Sequence, residues 1–208
     1  MRPLPLVLLG VGCASATPSL AVRAPSIEAG APRTLAIVRI QPPWYAPRFL
    51  IRKKFVEAVP EYEAYEKLES KYFSIAADGR YGGLYLWATR GDAEAHFDEK
   101  WRRGVRERRG VEADVELVDL LYWVDGGARL GGERLGTRSL RADAVATWVK
   151  NSEDPEALAR RLAAAPGLLR AAVARGAYLA LWSDRSHALD EPGAVFFETP
   201  VLIDAGLR

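Results

Sequence analysis

Two histidines, one cysteine and a scatter of lysines, tyrosines and tryptophans carry what chemistry this chain can offer, and no familiar constellation joins them. A Ser-His-Asp grouping with a recognisable elbow is absent, as are a dinucleotide fingerprint and the ligand spacing of a zinc site. With Cys13 alone, neither an intrachain disulfide nor a cysteine-based metal cage can form. His96 and His187 lie far apart without a supporting carboxylate motif, so no metal and no haem ligand set is expected. His96, next to Phe97, is the candidate general base. Its neighbours Glu99 and Lys100 fit equally well a ring turned to water.

Lys71 and Tyr72 are the other candidate acid-base groups. Neighbours on a strand point to opposite faces, so one should look toward covering helices and the other into the interior of a barrel. Either could bind or deprotonate a phenolic ligand if its surroundings lowered its pKa. The alternative is a lysine reaching out to the rim and a tyrosine serving the core. Trp44 and Tyr45, where the first strand passes to its helix, and Trp87 and Trp101 are the candidate substrate-binding aromatics. Trp87 and Trp182 follow Leu86 and Leu181 in equivalent places, and core packing accounts for both as well as a pocket wall does.

The elements that must position these residues can be read in order. Residues 34–41 form a strand stopped by Pro42 and Pro43. Pro47 opens a helix with Ile51, Phe55 and Val59 on one face, limited by Pro60, and residues 61–67 are a short helical or irregular stretch. Residues 68–75 and 84–89 pair around Asp78-Gly79, with Gly82-Gly83 marking a close backbone approach or a bulge. One helix runs from Asp92 to Gly110, burying Ala93, Phe97, Trp101 and Val105, and residues 115–124 return as a strand. Gly126 to Gly136 is a linker and not a phosphate loop, since no Lys-Ser/Thr follows its glycines. Residues 142–150 form a strand, Asp154 and Pro155 open a helix that Pro166-Gly167 ends, and residues 168–173 and 177–183 make a hairpin around Arg175-Gly176. Residues 194–203 form the last strand.

The strand-turn-strand unit around GGLYLW therefore returns as LLRAAVARGAYLALW, without its second helix. The expected fold is α+β: tandem ferredoxin-like repeats over residues 34–125 and 142–208, separated by a Gly-rich linker over 126–141 and closing into an intramolecular dimeric α/β barrel. LYLWA, LALW and VELVDLLYWV are apolar at odd and even positions alike, so their sheets need cover on both faces. Helices supply one cover and the other half of the molecule supplies the second.

At the amino end, Arg2, the apolar run from Leu4 to Val11 and the small residues around Cys13 look like an export signal over residues 1–16. Cleavage after Ala16 would secrete the protein, whereas lipidation of Cys13 would anchor it to a membrane of the cell envelope. A cytoplasmic protein with a misassigned start is the remaining alternative. Residues 17–33, rich in Ala, Pro and Ser, read as a flexible tether. A net charge of +2 gives no field that would favour nucleic acid. The basic stretch from Lys100 to Arg109 is interrupted by Glu107 and reads as a solvated helix face.

Lys71-Tyr72-Phe73, Asp78-Gly79-Arg80, Gly82-Gly83-Leu84-Tyr85-Leu86-Trp87, Ala93-Glu94-Ala95 and Trp101 resemble the YdhR-type proteins, assigned as monooxygenases, of the dimeric α/β barrel or antibiotic-biosynthesis monooxygenase-like superfamily. The resemblance covers residues 34–125 and fades to an echo around Leu181-Trp182. It implies a ligand held between sheet and helices, and oxygenation, without a cofactor, of a small aromatic or hydrophobic compound deprotonated to an electron-rich anion. A non-catalytic envelope module that binds a hydrophobic ligand or a protein is the competing expectation. In either case the tandem repeat should complete its barrel within one chain, as a monomer.

Overall fold

The computed structural model describes residues 24–30 and 32–207. Cys13 and the expected export signal lie outside them, as do residues 17–23 of the expected tether. Among the described residues no helix is long and apolar enough to cross a membrane.

The chain folds as β1 (Ser26–Ala29), β2 (Thr34–Ile40), α1 (Arg48–Glu63), β3 (Leu68–Ala76), β4 (Tyr81–Trp87), α2 (Arg90–His96), α3 (Glu99–Arg109) and β5 (Ala113–Asp125). There follow β6 (Glu133–Arg134), β7 (Ser139–Lys150), α4 (Pro155–Ala163), β8 (Leu168–Ala174), β9 (Ala177–Trp182) and β10 (Val195–Ile203). Eight strands form a closed antiparallel barrel in the order β5-β2-β4-β3-β10-β7-β9-β8, with β8 returning to β5. The amino-terminal half supplies the first four of these and the carboxy-terminal half the rest. The halves are joined edge to edge, by β3 with β10 and by β5 with β8.

Apolar residues on both faces of each strand follow from this closure. Leu35, Tyr72, Leu84 and Leu86 of one half meet Trp148, Leu169, Leu179 and Phe197 of the other inside the barrel. Outside it, α2 and α3 cover Ala36, Tyr85 and Trp87, while α4 covers Val173, Tyr178 and Trp182.

Four local differences from the sequence reading have physical causes. The long helix is two, because the Asp98 carboxylate accepts the Trp101 N–H and caps α3 afresh, while Gly110 closes it at φ 71°. Helix α1 carries Pro60 within it and runs on to Glu63. Ser26–Ala29, inside the stretch read as tether, pairs with Tyr122–Asp125 of β5, an edge that β2 leaves open because it ends opposite Asp119. Gly82 marks a close approach without a bulge: a Cβ there would lie 2.0 Å from the Val38 carbonyl oxygen, and the β2–β4 register runs unbroken.

The Gly-rich connector is not loose. The Glu63 carboxylate accepts the backbone N–H groups of Thr137 and Arg138, and the Arg138 guanidinium donates to the carbonyls of Tyr65 and Leu68 at 3.3 and 2.9 Å. With no basic residue in its own last turn, α1 has its carboxyl end capped from the connector, which fixes Tyr62 and Tyr65 over the sheet.

Candidate functional site

Across the β3–β4 pair Lys71 stands opposite Tyr85 and Phe73 opposite Gly83. The absent side chain at Gly83 makes the room: a Cβ would sit 2.8 Å from Cε2 of Tyr85 and 3.2 Å from Cε of Lys71. Lys71 therefore folds inward among rings. Its Nζ lies 2.9 Å from the ring centre of Tyr62, 4.0 Å from that of Phe73 and 4.4 Å from that of Tyr85.

The Lys71 side chain is 2% exposed, and Nζ has no hydrogen bond or ion pair among the described residues. Contacts with aromatic faces recover about 0.5–2 kcal/mol each. Removing an ammonium from water costs several kcal/mol, so the neutral amine is favoured. Burial accordingly drives the Lys71 pKa well below its ordinary value, opposed only by the more distant charge of Glu61. The same burial holds the phenols of Tyr62 and Tyr85 protonated.

Lys71 borders a cavity of about 150 Å³ between the sheet and helices α1 and α3, walled by Tyr62, Phe73, Tyr85, Trp101 and Val105 and edged by Lys54, Arg108 and Arg109. A larger groove of about 730 Å³ beside Arg52, Glu57, Arg141 and Asp143 is open and edged by exposed charges. It contains no buried reactive group.

His96, in the last turn of α2, packs behind the same rings, with centroids 4.8 Å from Trp87 and 5.1 Å from Tyr65. Its Nε2 is buried without a hydrogen-bond partner among the described residues, and so is Nε1 of Trp87. Burial, and then the nearby charge of Lys71, pushes the His96 pKa down to about 4. Imidazole and amine cannot both hold a proton cheaply, which leaves Lys71 at the cavity and His96 behind its rings as two weakly protonated bases.

The carboxy-terminal hairpin repeats this register with different residues. Leu168 pairs with Trp182 as Leu68 pairs with Trp87, and both hairpins carry an irregularity just after that pair. Ala171 and Ala180 then take the places of Lys71 and Tyr85, and Tyr178 takes that of Gly83. Trp182 donates to Thr147 Oγ1 at 3.0 Å, and the residue matching Thr147 in the other half is Ala36. The amino-terminal half has gained a buried amine and lost the acceptor for its indole. The carboxy-terminal half has the acceptor and no buried amine at the matching place.

No protein-family profile matches the sequence, and no curated protein matches it. Solved structures do match. A "putative monooxygenase" from Fusobacterium nucleatum subsp. nucleatum superposes with a TM-score of 0.51 at 9% identity, over 86% of this chain and 97% of that one. A "putative monooxygenase" from Lactobacillus acidophilus NCFM gives 0.51 at 11% identity, over 87% and 99%. The chain shares the barrel fold of these two proteins. An anthrone oxidase-like protein gives a TM-score of 0.49 at 16% identity, over 87% and 97%. Identities this low establish shape alone.

Within this barrel the structure gathers Lys71, Trp87, His96 and Trp101 into one cluster. Lys71 does not extend to the rim and His96 does not turn to water. Tyr72 lies on the opposite face, inside the barrel, where its hydroxyl donates to Asp204 at 2.9 Å. Arg170 bridges Asp204 and Asp125 there. Trp44 and Tyr45, 97% and 70% exposed, stand away from the cavity on the β2–α1 loop. Tyr62, Tyr65, Phe73 and Tyr85 complete the cluster and escaped the sequence reading. The period-two spacing of Tyr85 and Trp87 was the available signal for one of them. Ser183 Oγ and Asp184 Oδ2 both lie against Nδ1 of His187, at 3.2 and 2.8 Å, so these three do not form a relay.

Proposed function

We propose that the protein is a monooxygenase acting without a cofactor on a small acidic aromatic compound bound between the sheet and helices of its amino-terminal half. The observation that carries the reading is Lys71: a buried amine with no counter-charge, bordering a cavity walled by aromatic rings. The strand orders β5-β2-β4-β3 and β10-β7-β9-β8 support describing the scaffold as tandem ferredoxin-like repeats.

The cavity size selects the substrate class. A cavity of about 150 Å³ has room for one aromatic ring, and Lys54, Lys71, Arg108 and Arg109 on its lining suit an acidic substituent such as the hydroxyl of a monocyclic quinol. The Lys71 amine takes the hydroxyl proton, and the resulting ammonium is held by the three rings and by the anion it has created. The electron-rich ring adds dioxygen at carbon and loses the ring proton. The O–O bond then breaks, so that quinol and dioxygen give hydroxyquinone and water. The substrate supplies all the electrons, and no external reductant is needed.

Oxygen uptake with a panel of phenols, quinols and anthrones tests this. Quinol turnover that falls by about 10²-fold or more in Lys71→Met supports it. Absence of turnover by pure protein, with quinol binding retained, establishes the second reading, a non-catalytic binder. That no carboxylate among the described residues forms an ion pair with Lys71 or His96 favours that alternative.

A further inference from the structure

Four of the large apolar side chains exposed on the described surface fall within seven residues: Trp44, Tyr45, Phe49 and Leu50, at 97%, 70%, 68% and 45% exposure. Trp44 and Tyr45 contact one another edge to face, 5.8 Å apart, and Phe49 and Leu50 occupy the first turn of α1 directly after them. An aromatic side chain presents roughly 150–250 Å², so this corner alone matches or exceeds the largest apolar patch of an ordinary monomer. Nothing in the core requires it, because α1 buries its opposite face through Ile51, Phe55 and Val59.

The neighbouring charges are mostly basic. Arg48, Arg52, Lys53 and Lys54 are exposed on the same two turns, answered by Glu57 and Glu198. The patch therefore keeps a surplus of positive charge around a hydrophobic tip. Tryptophan and tyrosine favour the headgroup layer, phenylalanine and leucine the acyl boundary, and lysine and arginine the anionic phosphates. A protein partner could cover the apolar tip alone, but the ring of long basic side chains around it matches a negatively charged bilayer surface.

We propose that residues 44–54 form a membrane-docking tip that inserts Trp44, Tyr45, Phe49 and Leu50 into the interface of an anionic phospholipid bilayer, with Arg48, Arg52, Lys53 and Lys54 at the level of the headgroups. The proposal does not depend on the oxygenase reading. It has one consequence for it: Lys54 and Phe55 also border the Lys71 cavity, so the docked face lies beside the cavity wall.

Co-sedimentation of the full chain with vesicles tests the tip, using equimolar phosphatidylglycerol and phosphatidylcholine against phosphatidylcholine alone. Binding should require the anionic lipid and weaken as salt is added. It should drop about tenfold or more both in Trp44→Ser/Phe49→Ser and in Lys53→Glu/Lys54→Glu, with thermal melting unchanged because these side chains are exposed. Because both variants retain residues 1–33, any binding by the amino-terminal apolar run remains as a common background. Undiminished binding in both variants overturns the proposal. So does equal binding to the two vesicle types. Gel filtration showing a dimer that the same serine substitutions dissociate, with no loss of vesicle binding, would assign the surface to a second copy of this chain and overturn it too.

Discussion

The Nζ of Lys71 stands 2.9 Å from the centre of the Tyr62 ring, while the nearest charge of opposite sign acting on it, that of Glu61, forms no ion pair with it. A sheet residue and a helix residue thus enclose a basic group that neither neutralises. The rings soften the desolvation of a cation without cancelling it.

Replacing Lys71 by methionine should therefore stabilise the fold. Removal of an uncompensated polar group from the interior is expected to add about 1–3 kcal/mol at neutral pH, read as a higher urea midpoint at unchanged slope. The folded pKa is depressed, so between that value and 10.5 the unfolded chain binds a proton that the native state refuses. Wild-type stability consequently falls as pH drops below 10.5, and the advantage of Lys71→Met shrinks as pH rises toward it. A variant that is less stable at every pH would show that the ammonium is well housed.

His96 makes a second pH window. Its folded pKa of about 4 lies below the ordinary 6.5, so the native state resists protonation while the unfolded chain accepts it. Stability contributed by the neutral ring is complete above pH 6.5 and is lost as pH falls toward 4, on the order of 2 kcal/mol for this half-buried group. Carboxylates titrate in the same range, so the measurement is the difference between wild type and His96→Gln. That difference should change steadily between pH 6.5 and 4; a constant difference would place the ring in water.

How much of this was legible depended on the range of the interaction. Period-two alternation separated the faces of Lys71 and Tyr72, and Ile51, Phe55 and Val59 marked the buried face of α1, because both signals are local. The direction of the Lys71 side chain was not local. It depends on Gly83 across a strand pair and on Tyr62, whose position is fixed by Arg138 from beyond the barrel's midpoint. Trp44 and Tyr45 suited a pocket mouth by chain position, yet the β2–α1 loop carries them outward. The fate of a loop side chain has no periodic signature.

The two adjacent glycines of β4 should respond differently to alanine. At Gly83 the new methyl meets the Tyr85 ring and the flexible stem of Lys71, which can yield at about 1–3 kcal/mol while crowding the cavity. At Gly82 it meets the Val38 carbonyl carbon and oxygen at 2.8 and 2.0 Å, backbone that a continuous β2–β4 ladder holds in place. Gly82→Ala should be the more damaging change in thermal melting, and only Gly83→Ala should fold well enough to show weakened quinol binding.

The matched tryptophans offer a comparison within one molecule. Truncating Trp87 to alanine should cost about 3–5 kcal/mol, as expected of a large core side chain. Phenylalanine preserves most of that packing, and Trp87 has no hydrogen bond to lose, so Trp87→Phe should cost less than about 1.5 kcal/mol. Trp182→Phe removes the same atoms but strands the fully buried Thr147 hydroxyl, adding about 1–3 kcal/mol. Calorimetric melting should therefore rank Trp182→Phe below Trp87→Phe in stability. Equal losses of stability at the two positions would mean that the indole of Trp87 already has a partner.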